Sequence, residues 1–299
     1  MTTQSVAPVP AQQSRGRGAL RKLVVAAPTL PFFVYVAIFL VLPTVLVVTG
    51  AFQSQSGSFT LSNLSVLNTS AVRSAALWSI SLSLLSAVSG AVIGGLLAYA
   101  IVTTNPNGLL RRSIISICSV LAQFGGVILA FAFIAVIGRT GMVTTILKNV
   151  FHTTIDTTWL YDFKGLVLVY AYFQIPLMVI VFLPALDGIR PQWREATESL
   201  GGSTWIYWRR VAGPILLPAF ISSALLLFAN AFSAYATAAA LISQEDPLLA
   251  TQIRGALTNE VSLDNTNKAQ VLALLMVVIV AIVMTLYGWL SKRASRWLG

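Results

Sequence analysis

Six stretches of this chain stay apolar over the length needed to cross a hydrocarbon core about 30 Å thick, with ionisable side chains only near their ends. They run from Leu23 to Val48, Ala75 to Val102, Ser113 to Ile137, Gly165 to Leu186, Ile215 to Leu241 and Ala269 to Leu290. Backbone in lipid must satisfy its own hydrogen bonds, so runs of this length are expected to be helices. The expected fold class is an all-α polytopic membrane protein with six transmembrane helices. Composition agrees: 57% of residues are hydrophobic and 9% charged, against roughly 25% charged in a soluble domain. That balance excludes a soluble globular enzyme. The first run holds Pro28, Pro31 and Pro43, so part of it is expected to be kinked or interfacial.

The charges report orientation. Net charge is +10, yet the bases fall between the apolar runs with no patch of interleaved aromatics, which argues against nucleic acid. With the N-terminus in the cytoplasm, Arg73, Arg139, Lys148, Lys164, Arg254 and Lys268 are external and the other 13 of the 19 bases are internal. That is a positive-inside bias, and it puts both termini in the cytoplasm. Only Asp187, Glu195 and Glu198 are internal acids.

The expected organisation is a basic tail over 1–22, poor in core-forming residues and disordered, then a transmembrane domain over 23–290 and a second basic tail over 291–299. A basic start before an apolar run also resembles a signal peptide. An apolar stretch reaching Val48 exceeds the usual h-region of about 7 to 15 residues, so an uncleaved first helix is expected. Two external loops, 139–164 and 242–268, are long enough to meet a soluble partner, or are simply solvated connections.

The polar loop over 187–214 is the most ordered interruption. Pro191 can open a helix and Gly201 can close it with a left-handed residue, delimiting about ten residues. At helical spacing Trp193, Ala196, Thr197 and Leu200 share a face, Arg194 and Glu198 are paired at i,i+4, and Glu195 points away from Trp193. A second helical stretch, Trp205 to Val211, would bring Arg209 and Arg210 to the interface before Pro214 and the fifth span. On composition alone this is an amphipathic interfacial helix between two spans.

The spacing says more. Glu195-Ala196-Thr197, three residues, Gly201, nine residues, then Val211-Ala212-Gly213-Pro214 resembles the Glu-Ala-Ala signature of permease subunits of binding-protein-dependent type I ABC importers, whose pattern ends Ile-x-Leu-Pro. Thr197, Val211 and Gly213 depart from it, Gly213 most. In overall pattern the likeness covers about Ser74 to Trp289. It implies a methionine-importer-like permease fold in the inner (plasma) membrane, and it implies that Trp193, Glu195, Ala196, Thr197, Leu200, Gly201 and Pro214 form a coupling element seated on a separate ATPase. The implied partners are a second permease subunit, homologous or identical, two ATP-binding subunits and an external solute-binding protein. No cofactor is implied in this chain, since ATP and Mg would be held by the ATPase. In look the chain is similar to the polyamine, phosphonate, ferric iron and sulfate permease cluster; a sugar permease is the alternative.

Several absences bear on mechanism. There is no G-x-x-x-x-G-K-[ST] loop and no catalytic pair, so the sequence shows no means of hydrolysing ATP and no enzyme site. An ion-coupled secondary carrier would need intramembrane ionisable groups or an inverted repeat, and neither is evident. The single cysteine, Cys118, and the single histidine, His152, offer no metal framework. Gln123, Gln174, Asn230, Ser233 and Tyr235 are polar positions within or beside the spans. Each could line a pathway or hydrogen-bond between helices, and Pro176 favours Gln174 for the pathway by freeing a carbonyl. Gly90, Gly94 and Gly95 predict a close helix crossing, and Gly125-Gly126 a local kink.

Overall fold

Proline and glycine decide where these helices widen, break and end. The computed structural model describes residues 29–54, 57–153, 156–241, 248–258 and 264–298. The tail over 1–22, the start of the first apolar run and the loop acids Glu245, Asp246 and Glu260 lie outside the described residues. Helices follow in the order α1 (Leu30–Ala51), α2 (Ser70–Val102), α3 (Leu109–Gln123), α4 (Gly126–Ile137), α5 (Met142–Val150) and α6 (Phe163–Asp187). Then come α7 (Pro191–Ser199), α8 (Thr204–Ser233), α9 (Tyr235–Leu241), α10 (Leu249–Thr258) and α11 (Asp264–Leu298). Among the described residues, six helical segments are long and apolar enough to cross a membrane.

Three boundaries differ from the sequence expectation. Ser113 to Ile137 is not one helix: it breaks between α3 and α4, where Gly126 takes φ +74° and Gly125 is extended. The glycine pair therefore makes a full interruption, because a left-handed residue cannot continue a right-handed helix. Ile215 to Leu241 is likewise divided, with α8 ending at Ser233, Ala234 outside any helix and α9 starting at Tyr235. No glycine or proline marks that break.

The third difference is at Pro214, which starts nothing. The helix runs through it from Thr204, with a π-helical turn over Trp208–Ala212 just upstream. A second π turn, Ala37–Val41, precedes Pro43 in α1. Proline has no N–H to offer the carbonyl four residues back, and a widened turn relieves the clash of its ring. At the Trp208–Ala212 turn the widening carries the Trp208 carbonyl into the space a Cβ on Gly213 would occupy. Glycine there, the weakest point of the motif match, is what the π turn requires.

Helix α6 is the centre of the assembly, packed along α2, α3 and α8, while α11 lies against α8, α10 and α1. Lipid is as apolar as leucine, so these contacts rest on close approach rather than on expulsion of water. Accordingly the inner face of α2 is built of small residues: Ala75, Ser79, Ser83, Ser86, Ala87, Gly90, Ala91, Gly94 and Ala98 are all buried. Ser83, Ser86 and Ser89 return their hydroxyls to their own helix, Ser83 Oγ donating to the Ser79 carbonyl at 2.7 Å, while Ser79 Oγ accepts from Leu249 N–H of α10 at 2.9 Å. The Gly90 and Gly94 crossing is made with α6 of the same chain. A Cβ on Gly94 would sit 2.6 Å from both the Ile175 carbonyl oxygen and Met178 Cβ. By contrast α1 leaves its apolar side chains exposed and meets the rest of the chain at α11, where Gly50 abuts the Gln270 side chain.

Candidate coupling loop and intramembrane polar network

Asp187 ends α6, three residues cross the turn, and Pro191 opens α7 at its first position. The far end of α7 is closed by a Schellman motif. Gly201 N–H donates to the Glu198 carbonyl at 2.9 Å and Gly202 N–H to the Thr197 carbonyl at 2.9 Å. Gly201 takes φ +74° with open space around it, so its requirement is conformational. Gly202 is needed for room, since a Cβ there would lie 2.7 Å from Thr197 Cγ2. One residue later Ser203 caps α8, its Oγ accepting from Ile206 N–H at 3.4 Å. Helix α7 and the membrane helix α8 are thus joined by a short link that is capped at both ends.

The expected face of α7 is present but unequal. Trp193 and Thr197 are half-buried, with Thr197 Oγ1 bonded to the Trp193 carbonyl at 2.8 Å, whereas Ala196 is exposed and Leu200 is 89% exposed. Glu195 is exposed on the other side. Arg194 Nε donates to Glu198 Oε1 at 2.9 Å, and that carboxylate holds the guanidinium pKa above its ordinary value. Pro214 lies apart from this surface, within α8. Beneath α7, Tyr99 at the end of α2 meets the Trp208 ring edge-on at 5.2 Å.

Inside the bundle, Gln174 is fully buried. Its Nε2 donates to the Leu227 carbonyl of α8 at 2.7 Å, and its Oε1 accepts from Asn230 Nδ2 at 3.4 Å. Gln174 and Asn230 therefore link α6 to α8. Gln123, at the exposed end of α3, and Tyr235, at the start of α9, stand beside the two helix breaks. The breaks are tied to each other: Thr237 Oγ1 accepts from Gly126 N–H at 3.0 Å and donates to the Gly126 carbonyl at 3.3 Å. Tyr170 OH donates to the Ala234 carbonyl, which the end of α8 leaves free. Tyr235 OH accepts from Arg254 of α10 at 3.2 Å. Gln174→Leu is expected to destabilise the fold by about 1 kcal/mol, the range of interhelical hydrogen bonds in lipid. A thermal melt of the detergent-solubilised chain would show it; an unchanged midpoint would make the pair energetically idle.

Sequence reasoning missed the link between the two breaks, because no periodicity tells which carbonyls a broken helix leaves open. It also missed the ion pair between Arg111 Nη2 and Asp187 Oδ2, 2.5 Å apart. Both residues had been assigned to the same side of the membrane, but 76 positions separate them. His152 is an exposed loop residue with φ 51°, and no group of three metal-ligating side chains occurs among the described residues.

The family model described as binding-protein-dependent transport system inner membrane component matches residues 90–296. The chain belongs to that family. It is therefore a multi-pass inner-membrane transport component and not an enzyme. The thiamine transport system permease protein ThiP of Escherichia coli K12 is 27% identical over 189 residues, covering 62% of this chain and 34% of ThiP. The molybdenum transport system permease protein ModB of the same organism is 26% identical over 170 residues, covering 56% of this chain and 71% of ModB. The ferric transport system permease protein FbpB of Actinobacillus pleuropneumoniae is 26% identical over 158 residues, 53% of this chain and 23% of FbpB. The match thus spans about a third of ThiP and less than a quarter of FbpB.

Solved structures agree on the fold. A chain of the bacterial alginate ABC transporter, in complex with a pentasaccharide-bound periplasmic protein, superimposes with a TM-score of 0.71 at 18% identity, covering 94% of this chain and 98% of that one. A chain of the MetNI methionine ABC transporter gives 0.54 at 17% identity, covering 75% and 95%. The type I importer permease architecture holds in both comparisons.

Proposed function

We propose that this chain is one half of the transmembrane pore of an ATP-binding-cassette importer, with α7 as the helix that a cytoplasmic ATPase grips. The observation that carries this reading is α7 itself, a short amphipathic helix closed by Gly201-Gly202 and joined to α8 by a capped link. A displacement applied to such an element passes into the membrane helix, because the link has few free torsions in which to absorb it. Leu200, an apolar side chain held out into solvent, supplies the buried contact, and Glu195 with the Arg194–Glu198 pair sets register at the rim. The partners are a second permease subunit, two ATP-binding subunits that hold ATP and Mg, and an external binding protein that delivers the solute. The solute is small and of the charged kind named for the permeases it resembles, thiamine, ferric iron, molybdenum and sulfate. Gln123, Asn230 and Tyr235, around the tied helix breaks, are the positions we assign to its path. Gln174 supports that region from behind.

Orientation and docking are tested together by thiol labelling in a Cys118→Ala background. A cysteine at Leu200 should react in intact cells only with a membrane-permeant maleimide, and should be shielded when the ATPase is co-expressed. A cysteine at Thr153, exposed at the opposite end of the bundle, should react with an impermeant reagent. Reaction of the Leu200 position with the impermeant reagent would place α7 outside and remove the importer reading.

A further inference from the structure

Arg111 is the third residue of α3 and is only 9% exposed, and its partner Asp187 is the last residue of α6, three residues before α7. Elsewhere α3 lies on α6 through apolar contacts, with Ile114, Ile115 and Cys118 packed on the cluster that holds Met178, Phe182 and Leu186. Apolar ridges can shear past one another with little directional preference. A guanidinium in this position cannot follow such a slide, since leaving its carboxylate would strand a buried charge. At its other end α3 stops at Gln123, and three residues on Gly126, the first residue of α4, is held by Thr237 of α9. Helix α3 is therefore a strut with one end pinned to the root of α7 and the other at the helix break that faces the proposed path.

We propose that Arg111 and Asp187 form an ionic clamp that makes α3 move with the coupling helix, so that ATPase closure is carried to the Gly125-Gly126 break. This rests on the coupling assignment of α7. The two side chains act as positioning residues, by fixing where α3 goes when the root of α7 moves.

The test uses the assembled complex, purified through a tag on this chain and placed in lipid nanodiscs, with Cys118→Ala and a reporter cysteine at Gln123. The probes are ATP, Mg, vanadate and a maleimide. With the clamp intact, maleimide labelling at position 123 should change between the nucleotide-free and the ATP–vanadate-trapped complex. Arg111→Ala and Asp187→Ala should make the two rates equal while nucleotide is still trapped, and Arg111→Asp with Asp187→Arg should restore the difference. Asp187→Asn, which keeps the shape and removes the charge, should behave as Asp187→Ala does and serves if the alanine variants fail to reach the membrane. A single variant that keeps the full labelling response, or a reversed pair that traps nucleotide yet stays unresponsive, overturns the clamp. Failure of the coupling assignment looks different, for the ATPase would then not co-purify with the unaltered chain.

Discussion

Gly201→Val is expected to leave the chain inserted and bound to its partner permease, but to reduce ATP-driven uptake by roughly tenfold or more. The position holds φ +74° at the C′ residue of α7, and a residue with a side chain pays about 1–2 kcal/mol to adopt it, more when β-branched. The Schellman bonds from Gly201 and Gly202 are lost if the backbone relaxes, and the relation between α7 and α8 is lost with them. Open space around Gly201 means the defect is conformational, so Gly201→Asn, which tolerates the left-handed region, should recover most uptake. Gly255→Val in α10, also in open space but without a positive φ, is the tolerant comparison. Uptake of the solute carried by the cognate binding protein, measured in vesicles with equal amounts of inserted chain, decides the matter. Wild-type uptake by Gly201→Val would show that α7 does not transmit force through this turn.

Gly94→Leu should act at an earlier stage and remove the folded protein. The added Cβ falls 2.6 Å from the Ile175 carbonyl oxygen, a backbone atom that cannot step aside, and the rest of the side chain has to enter the α2–α6 contact. Overpacking in a dense interior typically costs about 1–3 kcal/mol, and here it opens the central contact of the bundle. Little monodisperse protein should survive size-exclusion chromatography after solubilisation. Gly95→Ala is the milder control, its Cβ meeting the edge of the Phe220 ring at 3.1 Å. If Gly94→Leu melted within a few degrees of the parent, the α2–α6 crossing could not be as tight as described.

The outcome of these substitutions depends on features that differ in how far they can be read without coordinates. Membrane residence, the helical class, the span over 165–186 and the existence of α7 followed from local properties of the chain. Apolar length, a proline at the first position of a helix and a glycine at its end act on the backbone within a few residues, and their effect does not wait for the rest of the fold. The extent of the third and fifth spans did not follow. Hydropathy continues unchanged across Phe124-Gly125 and Ala234, while the backbone stops being helical at both. The break at Ala234 has no local signature, and its open carbonyl is satisfied by Tyr170 from α6.

The same distinction runs through the polar residues. Their presence in apolar surroundings is legible, but the partner each chooses is not. Gln174 finds the Leu227 carbonyl and Asn230, Thr237 finds Gly126, and Arg111 finds Asp187, each across at least 53 residues of chain. A local sequence signal can say that a buried polar group needs a partner. Only the packing of α2, α3, α6, α8 and α9 into one bundle brings that partner within 3.4 Å, because hydrogen bonds and ion pairs between helices depend on positions that sequence separation does not encode.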